Sequence, residues 1–131
     1  MSDAGPNGVL ALKDLEAAHL IADAWRPMLR EVVQHLALGD YFLGSRVVGV
    51  TPVAASVAEQ MRHSIADYGA TLTDLPDDTW QSSVAQWMGT HWEIVVDLWT
   101  AEEGRSDLVL AGNVVETSTG PLLTVHAVYV P

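Results

Sequence analysis

The sequence predicts an α+β domain: N-terminal helices packed on one face of a C-terminal antiparallel β-meander of about four strands. Up to Tyr68, apolar residues recur at three- and four-residue steps, the period of an amphipathic helix. From Ser83 onward the pattern changes to alternating runs rich in valine and tryptophan, separated by glycine-bearing turns, which is the signature of strands. Helices followed by a run of strands is the order of an α+β fold. At 131 residues the chain fits a single domain that buries about two-thirds of the surface its unfolded form exposes.

The elements follow in order. Residues 1–9, with Gly5, Pro6, Asn7 and Gly8, read as a flexible leader, and residues 10–131 as one α+β domain. A first helix is expected over Asp14 to Leu38, with a stripe of Ile21, Trp25, Met28, Leu29, Val32 and Leu36. Pro27 interrupts it, predicting a kink or restart near Arg26, and Gly39 ends it. Gly39 to Gly49 is a connection that has room for a short extended piece. Thr51-Pro52 reads as N-cap and first residue of a second helix, which runs to Tyr68 and stops at Gly69. Its stripe is Val57, Met61, Ile65 and Tyr68. Thr73 to Thr79 is turn chemistry. Strands are expected over Ser83–Met88, Trp92–Thr100, Asp107–Glu116 and Leu122–Val130, with Gly104 and Gly120 supplying left-handed turn residues.

The two late turns fix a register. With Ala101 facing Arg105, Val96 opposes Leu110, Ile94 opposes Gly112 and Trp92 opposes Val114. With Thr117 facing Pro121, the last strand adds Thr124, His126, Val128 and Val130 to that same face, which receives the helices. The second face then carries Trp99, Val95, Val109, Ala111, Val115, Leu123, Val125, Ala127 and Tyr129, with Glu93, Asp97, Asp107 and Asn113 among them. A face washed by solvent alternates to polar residues, and an apolar patch of this size marks an interface. Either a two-fold dimer forms through this face, which is the expectation carried forward, or the leader or the Gly39 to Gly49 segment folds over it; Glu102, Glu103, Arg105 and Asp107 lie at its margin, with Arg105 as the intramolecular partner of Asp97.

On the helix-facing side His126 is expected opposite Gly112, where the missing side chain leaves a small polar-tipped cavity lined by Trp92, Gly112, Thr124 and His126. Either His126 is a hydrogen-bonded core residue, or it acts as a general acid/base assisted by Glu116 or Asp97.

Charge and composition work mainly by exclusion. Seventeen acids against six bases give −11, and Arg105 is the only base beyond residue 66. Such a surface repels phosphate, so nucleic acid and anionic membranes are not expected partners. A basic protein or a small ligand is. The absence of cysteine removes thiolate chemistry and thiolate metal sites. No apolar run reaches the roughly 18 residues of a membrane span, and the N-terminus lacks signal-peptide character, so a cytoplasmic location is expected. His91-Trp92-Glu93 shares its order with the opening of a zinc-deaminase signature, but that site needs cysteine ligands. His19/Asp23 and His63/Asp67 lie four residues apart, opposite their apolar stripes, and read as solvated intrahelical pairs. No metal site and no cofactor is implied. The five tryptophans read as core and interface anchors.

The stretch WEIVVDLWTAEEGRSDLVL, with Asp67-Tyr68-Gly69 and Leu72 to Pro76 before it, resembles an uncharacterised family of small bacterial domains from about Trp25 to the C-terminus. That resemblance implies no activity. HLALGDYFLG after a first helix, followed by late strands, is similar to the nuclear transport factor 2-like superfamily. This second resemblance implies a cone-shaped fold, a pocket between sheet and helices, and dimerisation through the outer sheet face. Two classes of function follow as expectations. One is a non-catalytic interaction module that dimerises and engages a basic protein partner. The other is a small-molecule pocket protein or small lyase, isomerase or cyclase centred on His126.

Overall fold

The computed structural model describes residues 8–43 and 47–131. Most of the expected leader therefore lies outside the described residues. Where the description begins, Val9 is already tied down: its amide donates to the Asp23 carboxylate (3.0 Å) and its carbonyl accepts from the Asp23 amide (2.9 Å).

The first helix is shorter than its apolar stripe. Helix α1 spans Arg26–Ala37 and follows a 3₁₀ turn at Asp23–Trp25. Pro27 is thus not a kink inside a long helix but a first-turn residue, where its missing N–H leaves no hydrogen bond unmade. Upstream, Asp14 diverts the chain, accepting from the Glu16 amide (2.9 Å) and pairing with His19 (2.8 Å). His19–Leu20 then forms a short strand, β1. Helix α2 spans Ala55–Tyr68, and Gly69 closes it with a left-handed φ of 80°. It begins later than Thr51-Pro52 suggests because Thr51 is claimed by the sheet: its amide donates to the Leu123 carbonyl (2.8 Å) and its hydroxyl to Thr124 (3.1 Å).

Strands β2 (Val84–Trp87), β3 (Trp92–Thr100), β4 (Gly104–Thr117) and β5 (Gly120–Tyr129) complete a five-stranded antiparallel sheet in the order β1-β2-β3-β4-β5. The fold is α+β with helices before the sheet, as expected, with β1 as an added edge strand.

Two irregularities govern which side chains face where. Between β3 and β4 the expected register holds from Trp92↔Val114 to Asp97↔Val109, then shifts to Trp99↔Arg105. Ser106 bridges the shift, donating to the Leu98 carbonyl (2.8 Å) and accepting from the Leu108 amide (3.1 Å). Between β4 and β5 the turn closes on Thr117↔Gly120, one residue tighter than expected, and the register recovers through a bulge between Ala111 and Gly112. Gly112 therefore opposes Val125, not His126.

The inner face packs against both helices. Ile94, Val96, Leu98, Leu110, Val114 and Leu123 are all 0–1% exposed and join Leu29, Val32, Leu36 and Met61 in one core. Trp92 anchors one end, with Trp25 edge-on at 5.1 Å and Trp87 tilted at 4.6 Å. Its indole N–H donates to the Leu12 carbonyl (2.9 Å), and the Lys13 ammonium lies over Trp87 at 5.1 Å. The segment before α1 is thereby fastened to the sheet.

The β5 edge is occupied, and so is the part of β3 that runs beyond β2. On β5, Leu123 exchanges backbone bonds with Gly49 and Thr51. Farther along, the Gln60 side-chain amide pairs with Val128 as a peptide would, donating at 2.7 Å and accepting at 3.3 Å. On β3, beyond the end of β2, Asp97 is met by Ser83 and Thr79 (2.9 and 2.7 Å), and Trp99 to Ala101 by Thr71 to Thr73. An unpaired edge is a template for another chain, and here these hydroxyls and backbone groups occupy it. No helix among the described residues is long and apolar enough to cross a membrane.

Candidate functional site

The residues expected to form a cavity under the helices do not come together. His126 is exposed, and its ring nitrogen pairs with the Asn113 amide at 2.9 Å on the outer sheet face. The bulge is the cause: one extra residue on β5 turns Val125 and Leu123 inward (4% and 0% exposed) and sends His126 outward. Thr124 likewise leaves the helix-facing side and bonds to Thr51. The space beside Gly112 is filled, because a Cβ placed there meets the Thr124 carbonyl oxygen at 2.5 Å. Trp92 is 1% exposed in packed core.

The expected catalytic trio is also dispersed. Glu116 is exposed and forms an ion pair with Lys13 (2.8 Å). Asp97 lies opposite Val109, about 20 Å along β4 from Glu116 at ordinary strand spacing. Its carboxylate accepts from the Ser82 hydroxyl. Arg105, expected as its partner, makes no ion pair among the described residues. Sequence reasoning missed Ser82, which caps the 3₁₀ turn at Asp77–Gln81 and lies outside the expected strand.

The outer face of the sheet remains the candidate functional surface. Val84, Val95, Trp99, Ala111, Val115, Leu122 and Ala127 are half-buried there, Val109 is buried among them, and Tyr129 is exposed. Leu122 takes the place expected for Leu123 and Val125, so the face keeps its apolar character despite the bulge. Both helices belong to the core on the opposite side. Asn113 and His126 supply one polar spot, and Glu93 another, with His91 at 3.8 Å.

The margin at the β3–β4 turn is acidic but locally engaged. Glu102 accepts from the Thr71 amide (2.8 Å) and hydroxyl (3.0 Å). The Thr71 amide, foremost, holds the Glu102 carboxyl below its ordinary value of 4.5. Tyr68 donates to Glu103 (2.7 Å) and accepts from the Asp107 amide (3.1 Å). That amide favours the phenolate, but the Glu103 hydrogen bond, burial and the nearby carboxylates outweigh it and raise the phenol above 10.0. These carboxylates fasten the hairpin tip to the end of α2. Among the described residues no group of three or more metal-ligating side chains is assembled.

No curated protein and no solved structure matches the chain. The family model that matches is described as a domain of unknown function, DUF7668, and it covers residues 33–131. Ile21, Trp25 and Leu29, which complete the core, precede that span. With most of its length matched, the chain belongs to the DUF7668 family of domains of unknown function.

Proposed function

We propose that this domain is a non-catalytic interaction module that pairs with a second copy of itself through the outer sheet face and presents an acidic rim to a basic protein partner. The observation that carries the reading is the outer face itself. It is apolar from Val95 across Val109 and Ala111 to Ala127, yet the helices lie on the other side. A self-complementary patch closes a two-fold dimer without a second protein. The occupied β5 edge, with a β1 edge only two residues long, favours face-to-face pairing over strand addition. The net charge of −11 steers a basic partner and repels phosphate-rich ones.

An isotope-filtered nuclear Overhauser experiment on a mixed sample of labelled and unlabelled protein tests the pairing. Intermolecular contacts among the methyls of Val95, Ala111 and Val115 are expected. Their absence, or contacts confined to β1 or β5 edge residues, overturns the reading. For the basic partner, Asp107→Lys is the informative charge reversal, because Glu102 and Glu103 also hold the hairpin tip.

A further inference from the structure

Between the 3₁₀ turn at Asp77–Gln81 and the tip of the β3–β4 hairpin lies a cleft of about 460 Å³, lined by Asp78, Gln81, Ser82, Trp99 and Arg105. Its volume is in the range of small-ligand sites. Trp99 and Arg105 are direct cross-strand partners, so their side chains leave the same face of the sheet, and both line the cleft. The neighbouring carboxylates are satisfied by neutral donors: Asp97 by Ser82, Glu102 by Thr71, Glu103 by Tyr68. Arg105 is exposed and makes no hydrogen bond or ion pair among the described residues, so its fork of donors is unspent. Asp78, exposed, supplies the opposite charge within the same cleft.

We propose that this cleft binds a small zwitterion of the α-amino-acid class. The ligand carboxylate lies on Arg105, where two parallel N–H donors match it. The ammonium faces Asp78, and an apolar side chain rests on Trp99. A simple anion is disfavoured by the field of a protein carrying −11. A net-neutral ligand with both charges escapes that repulsion and uses both groups of the cleft. The cleft is at the turn end of the sheet, about 13 Å along the strands from Val95 and Ala111. Trp99 ends the outer face here and the cleft opens on its Asp78–Ser82 side, so the proposal stands whether or not a second copy pairs through Val95 and Ala111.

The test is ¹⁵N-resolved NMR titration of the full chain with L-leucine and L-phenylalanine, against L-leucinamide, which lacks the carboxylate, and N-acetyl-L-leucine, which lacks the ammonium. Saturable shifts are expected at the Trp99 indole N–H and the Ser82 and Arg105 amides, with at least tenfold weaker binding of each capped analogue. Arg105→Gln is expected to weaken leucine binding at least tenfold while other resonances stay in place. Asp78→Asn is a second exposed variant that should weaken leucine more than N-acetyl-leucine. The proposal is overturned if neither amino acid gives a saturable shift up to its solubility limit. It is equally overturned if the capped analogues bind as well, or if the Arg105→Gln and Asp78→Asn proteins bind leucine unchanged.

Discussion

Gly112→Ala is the substitution that separates the observed β4–β5 register from the one expected without a bulge. A Cβ at this position lies 2.5 Å from the Thr124 carbonyl oxygen and 3.4 Å from a Leu123 methyl. Carbon and carbonyl oxygen in sheets approach to about 3.3–3.6 Å, so β4 and β5 must separate by most of an ångström. The neighbour is backbone within a paired ladder and cannot swing aside. Overpacking of this kind costs about 1–3 kcal/mol, and the conformational advantage of alanine over glycine in a strand, about 0.5–1 kcal/mol, offsets only part of it. A net loss of about 1–2 kcal/mol is expected. At an ordinary urea m-value this lowers the midpoint by about 0.5–1 M. Urea unfolding followed by circular dichroism, at one fixed protein concentration for both proteins, measures it. If Gly112 instead faced His126 across a small cavity, the added methyl would be neutral or stabilising. A Gly112→Ala protein as stable as the wild type therefore refutes the bulge and the outward placement of His126.

Other perturbations follow from the same contacts. Gln60→Leu removes the amide that pairs with Val128; a loss of about 1–3 kcal/mol is expected, and the Val128 amide should exchange with solvent faster than in the wild type, whereas unchanged exchange would mean the clamp does not hold the edge. Trp92→Phe keeps an aromatic ring but loses the bond to Leu12, so limited proteolysis should cut sooner near Leu10 to Leu15, and equal cutting rates would deny that this bond fastens the segment. Glu102 has a folded pKa depressed below 4.5; its contribution is present above the unfolded value and fades as pH falls through the folded one. Glu102→Gln should thus be less stable at neutral pH and show a shallower acid limb below about pH 5; parallel stability curves for the two proteins would count against the tether.

Strand β3 was legible in the sequence to the residue, because Trp92, Ile94, Val96 and Leu98 keep one face wholly apolar, carboxylates interrupt only the other, and the Gly104 turn follows at once. Its pairing with β4 was legible as far as Asp97 for the same reason. On β5 the logic failed where both faces are apolar. Leu122, Leu123, Val125, Ala127 and Val128 satisfy either register, so period alone cannot choose between them. The choice fell to a tight turn at Ser118–Thr119, where the Thr117 hydroxyl donates to Gly120 (2.7 Å). That one-residue difference moved His126 out of the helix-facing side and emptied the expected cavity of its central group. The first helix was overread because Ile21 and Trp25 continue its apolar stripe while lying outside the helix. They reach the core from a strand-linked turn, which a helical period imitates over so short a span.

Sedimentation velocity over a range of protein concentrations, run on the wild type beside Val95→Lys, reads whether a second copy covers the outer sheet face. A dimer is expected for the wild type and a folded monomer for Val95→Lys, with far-UV circular dichroism unchanged. A wild type that stays monomeric at every concentration, or a Val95→Lys protein that dimerises as well as the wild type, contradicts that pairing.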